Sequence, residues 1–121
     1  MGKRNPAIEE KVGEMVRELH ISHYHRFLLT EMICSKLLNP LKKVDQIMND
    51  VTSESSLKLY QLRRGKTREF VRISAAKELE RLEEALHDCD NLPGKNNGEE
   101  LRRGWIISNT IKYYTKKIMD E

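Results

Sequence analysis

Apolar residues recur every three or four positions in five stretches of this chain, and turn-forming residues separate the stretches. The stripes are Ile8, Val12, Met15, Val16 and Leu19; Met32, Ile33, Leu37 and Leu38; Leu41, Val44, Ile47, Met48 and Val51; Ala75, Leu79, Leu82 and Leu86; and Leu101, Trp105, Ile107, Ile111, Tyr114 and Ile118. Such spacing puts each set on one face of a helix, and each face must then be covered by another element. A chain of 121 residues makes one domain that buries enough surface to fold without a disulfide or a metal. The expected layout is a single domain over 1–121, with a core at 7–88, a linker at 89–98 and a C-terminal helix at 99–119.

Local signals set the expected boundaries. Pro6 suits a first helical turn, so the first helix is expected over 7–19. From His20 to Leu38 a break is expected at Leu28-Leu29-Thr30, with Thr30 capping a short second helix. Asn39 before Pro40 is expected to end that helix and cap the next, which gives two short helices at a tight junction, the geometry of a helix-turn-helix. Thr52 to Ser56 reads as a loop. Leu57 to Ser74 then reads as a hairpin with Gly65-Lys66 as its two-residue turn, which sets Arg63 opposite Arg68. The rival is one helix through this region, since Val71, Ala75, Leu79, Leu82 and Leu86 can share a face. A helix over 75–88 follows, with its glutamates at 78–84 as a solvated face. The 90–98 stretch is dense in turn residues, and Asn97 with Glu100 resembles a capping box for the last helix.

Charge is uneven along the chain, although 22 Lys and Arg against 19 Asp and Glu leave a net charge of only +3. Residues 40–74 carry eight cations and four anions, whereas residues 75–100 carry three cations and eight anions. A basic middle beside an acidic helix is the footprint of a surface that meets a polyanion, and scattered solvated charge is the plainer alternative.

The order helix, short helix, tight junction, second helix, basic hairpin and helix resembles a winged helix-turn-helix domain, nearest to the multiple-antibiotic-resistance and phenolic-acid-decarboxylase type regulators. Leu29-Thr30-Glu31-Met32-Ile33 is similar to the step that opens the second helix of that family, and Leu41 to Val51 stands where its recognition helix would be. The likeness covers roughly residues 8–88. The chain departs from the pattern in opening this helix with Asn39-Pro40-Leu41-Lys42-Lys43 instead of a Ser/Thr-rich start. The fold implied is mainly α with a small β-hairpin, and the partner implied is double-stranded DNA. Lys42, Lys43, Gln46 and Asn49 would reach the major groove, and Arg63, Arg64, Lys66, Thr67 and Arg68 would grip backbone as the wing. Regulators of this kind pair through terminal helices, so Trp105, Ile107, Ile111, Tyr114 and Ile118 are expected at a homodimer interface, the alternative being that they complete the core.

Other chemistry is weakly signalled. His20, His23 and His25 with Cys34 offer zinc-like ligands, but their spacing matches neither an i, i+4 pair nor a finger. Arg17 with His23 resembles the Arg/His motif of the helical HEPN ribonucleases, from which it departs in its early position and in lacking the polar residue after the Arg. No phosphate loop, nucleophile elbow or paired-carboxylate pattern occurs, so no enzyme activity and no cofactor are expected. Two distant cysteines and the absence of an apolar run of bilayer length fit a reduced cytoplasmic protein without a membrane partner. Met1-Gly2-Lys3-Arg4-Asn5-Pro6 has no apolar stretch behind its cations and carries Pro where N-myristoylation wants Ser or Thr, so neither a secretory signal nor that acylation is expected. The expected function is transcriptional regulation, with plasmid or phage partition or replication-origin binding next. An all-helical interaction module that takes an acidic protein partner is the alternative from another class, favoured if residues 55–74 are helical.

Overall fold

The computed structural model describes residues 5–63, 75–95, 102 and 104–120, which form five helices. They are α1 (Pro6–Arg17), α2 (His23–Leu38), α3 (Val44–Arg63), α4 (Ala75–His87) and α5 (Ile106–Met119). Among the described residues there is no strand, and no helix is long and apolar enough to cross a membrane. The expected winged helix with a β-hairpin is therefore corrected: residues 57–63, its first strand, continue α3. Leu57, Lys58, Leu59, Gln61, Leu62 and Arg63 are all strong helix formers. The expected loop at 52–56 is helical too. Thr52 is fully buried, and its hydroxyl donates to the Met48 carbonyl at 2.8 Å, so the side chain that signalled a break is satisfied inside the helix. The turn Gly65-Lys66 and the second strand lie outside the described residues.

α2 is the centre. It packs against α1, α3 and α5, and Leu28, Leu29, Met32, Ile33 and Cys34 are buried around much of its girth. Ser22 caps its start by accepting from the His25 N–H at 3.2 Å. The expected break at Thr30 does not occur, because Thr30 donates to the Arg26 carbonyl one turn back at 2.7 Å. Asn39 ends α2 and caps no new helix: its N–H bonds the Ser35 carbonyl at 3.0 Å. Residues 39–43 form a turn held by Lys36, whose ammonium donates to the carbonyls of Pro40 and Lys42 at 2.8 Å each. The tight helix-turn-helix junction is thus replaced by a five-residue connection, and Leu41, expected on the buried stripe, is fully exposed.

α1 follows its stripe closely, with Val12 and Val16 buried and Asn5 as its cap. Of the α4 glutamates expected in solvent, Glu80 and Glu84 are exposed, whereas Glu78 and Glu83 are buried. The chain leaves α4 through Cys89 and Leu92, both buried, and Lys95 donates to the carbonyls of His87 and Cys89 at 2.8 and 3.0 Å. α5 starts later than expected because Gly104 has φ of 99°, outside any right-handed helix.

Candidate functional site

Of the residues expected to read DNA, Lys42 and Lys43 lie in the 39–43 turn and Gln46 and Asn49 on the exposed side of α3. Lys42 pairs with Asp50 at 2.8 Å, and Asp45 is exposed nearby. Among the described side chains, two carboxylates therefore offset the two lysines at the start of α3. Arg63 ends α3, in a helix and not in a strand; its expected partner Arg68 lies outside the described residues, as do Arg64, Lys66 and Thr67. Of the residues expected between two copies, Ile107, Ile111 and Tyr114 are buried within the chain's own core, Ile118 packs partly against it, and Trp105 is 58% exposed.

The same helix carries a second pattern. With Ile106, Ile107, Thr110, Ile111, Tyr114 and Thr115 turned inward, helical geometry turns Asn109, Lys112, Tyr113, Lys116 and Lys117 outward. From Arg102 to Met119 the sequence contains five cations and no carboxylate. Two large aromatic side chains are interleaved with the cations, Trp105 and the 44%-exposed Tyr113. The Arg102 guanidinium lies 5.3 Å from the Trp105 ring centre and the Lys117 ammonium 5.9 Å from that of Tyr113. This face was missed in the sequence because the apolar residues of α5 suggested a dimer; the acid-free run was the available signal.

A carboxylate fixes how α5 sits. Trp105 supplies no side-chain cap, and Glu83 of α4 accepts from the Ile107 N–H at 2.9 Å instead. A negative group at a helix N-terminus satisfies an orphan donor and opposes the positive end of the dipole.

No protein family, curated protein or solved structure matches this chain.

Among the described residues, two grooves border α5. One, of about 470 Å³, is floored by Met48, Leu79 and Ile107 and rimmed by Glu80, Glu83 and Glu84. The other, of about 270 Å³, lies among the end of α1, the turn after α4 and the outward face of α5, lined by Met15, Glu18, Leu19, Asn91, Pro93, Tyr113, Tyr114 and Lys117. Asn91 ties its walls together: its amide donates to the Glu18 carbonyl and accepts from the His20 N–H at 3.2 Å and the Cys89 thiol at 3.0 Å. Burial first, then Tyr113, Glu18 and Cys89, pushes the Tyr114 phenol upward, so it stays neutral.

The remaining titratable cluster joins α2 to α4. Tyr24 donates to the Glu78 carboxyl, which is 2% exposed and pushed up to about 7 by burial, with Arg81 pulling the other way. Burial and then Arg81 lower the neighbouring His25. His20, His23 and Arg17 are exposed and Cys34 is buried; among the described residues no three His, Cys, Asp or Glu side chains are placed to share a metal ion.

Proposed function

We propose that this protein binds nucleic acid through the outward face of α5. The observation that carries the reading is the coincidence of Arg102, Lys112, Lys116 and Lys117 with exposed Trp105 and Tyr113 along a run without a carboxylate. Cations serve the phosphates, and aromatic faces serve bases or sugars. Transcriptional control and plasmid or phage partition both call for such binding. Continuation of α3 through Arg63, where a wing would have begun, favours a second reading, an all-helical module whose basic surface takes an acidic protein.

Titration of labelled duplex and single-stranded oligonucleotides at two salt concentrations tests the first reading. If three or four phosphates are neutralised, log affinity falls against log salt with a slope of roughly −2 to −3.5. Replacing Lys112, Lys116 and Lys117 together by Ala is expected to flatten that slope and weaken binding at least tenfold. Absence of binding at low salt refutes the reading and leaves the protein-partner alternative.

A further inference from the structure

We infer that the groove beside Tyr113 receives a single unpaired base of a single-stranded nucleic acid and favours cytosine over thymine. This rests on the reading of α5 as a nucleic-acid face and gives that face a strand type and a base preference.

The groove opens onto the cationic face, because Tyr113 and Lys117 belong to both. A strand whose phosphates follow Lys112, Lys116 and Lys117 therefore passes its mouth. At about 270 Å³ the groove falls just below the roughly 300–1,000 Å³ of sites for drug-sized ligands and suits one base with part of its sugar. The half-exposed Tyr113 supplies the aromatic surface at its mouth, with Met15 and Pro93 beside it; Leu19 and Tyr114 are buried behind, and the two tyrosine rings meet edge to face at 5.3 Å. Base stacking on such surface tolerates any sequence, so it sets affinity and not choice. A paired base is already stacked within its duplex, and only an unpaired one can enter without extra cost.

Choice comes from the polar groups. The Asn91 amide is occupied by the Glu18 carbonyl, the His20 N–H and the Cys89 thiol, which leaves Glu18 and Lys117 as the charged residues of the lining. A carboxylate accepts from the N4 amino group of cytosine. Thymine presents its N3–H between two carbonyl oxygens, which repel a carboxylate, and has no amino group. The opposed charges divide the work, Lys117 meeting phosphate and Glu18 meeting the base edge.

The experiment compares oligodeoxycytidine and oligothymidine of about ten nucleotides, a length suited to a short single-strand site, by fluorescence titration of the full chain. The expected result is cytidine binding roughly tenfold tighter, within the range one good base contact provides. Glu18→Ala should bring the two affinities together, whereas Glu80→Ala, an equal loss of charge at the other groove, should preserve the difference. Tyr113→Leu should weaken both strands by about fivefold or more. Equal affinities in the unaltered protein, or a preference that survives Glu18→Ala, would overturn the base groove while salt-dependent binding by α5 stands. Failure of both strands to bind removes the nucleic-acid reading itself. The comparison of the two strands on the unaltered protein is decisive whether or not a variant folds.

Discussion

Glu78 illustrates how a single carboxyl can tie stability to pH. The folded protein holds its proton up to about pH 7, whereas the unfolded chain releases it near 4.5. Between these values the unfolded state binds fewer protons than the folded state, so stability falls as pH rises. The contribution is fully present below 4.5 and is lost as pH passes through about 7. Glu78→Gln keeps a partner for Tyr24 and carries no titrating proton. Thermal melts from pH 4.5 to 7 should therefore show the unaltered protein losing stability relative to the variant; parallel curves would remove Glu78 as the cause. His25 acts with the opposite sign, its lowered value costing stability as pH falls below 6.5, and because both proteins contain it, it largely cancels in the difference. None of this was visible in the sequence, where Glu78 lies among other acids and reads as solvated; its burial comes from the packing of α4 against its neighbours.

At the scale of elements, legibility followed position in the fold. α1 and α4 lie at the periphery, so one side of each meets solvent and the three-four spacing of Val12 and Val16, or of Leu79, Leu82 and Leu86, marks the buried side. α2 is enclosed by three helices, and its consecutive buried residues Leu28 and Leu29 blur the period that would have shown one helix over 23–38. Thr30 and Thr52 suggested breaks because Thr competes with the backbone, yet in both cases the hydroxyl bonds the carbonyl four residues earlier. The outward face of α5 is hard to read from the sequence because Trp105, Ile107 and Tyr114 form the stronger apolar pattern on the same helix. Glu83 provides the test of how α5 is held. Glu83→Ala leaves the buried Ile107 N–H without its acceptor and should cost about 1–3 kcal/mol, whereas Glu83→Gln retains an oxygen and should cost less. Denaturant midpoints for the two variants measure the difference, and equal losses would assign the effect to charge alone.

For the whole molecule, the same residue distribution bears on assembly. Ile111 is fully buried within one chain, where its side chain packs in the core. Ile111→Ala should lower stability by about 2–5 kcal/mol, and the loss should not vary with protein concentration. A loss that shrinks on raising the concentration would show that the side chain serves an interface between copies. Of the basic middle read from the sequence, the cations from Lys58 to Arg72 have side chains outside the described residues; among the described ones Lys42 pairs with Asp50, and the acid-free cationic face is that of α5.

The Glu83 cap also has a meaning in rates. Because α5 is capped from α4 and its inner face is packed, its outer face is set before any ligand arrives, and little conformational entropy is left to lose on association. Encounter with an anion would then be governed by diffusion and long-range attraction, with no ordering of the helix to slow it.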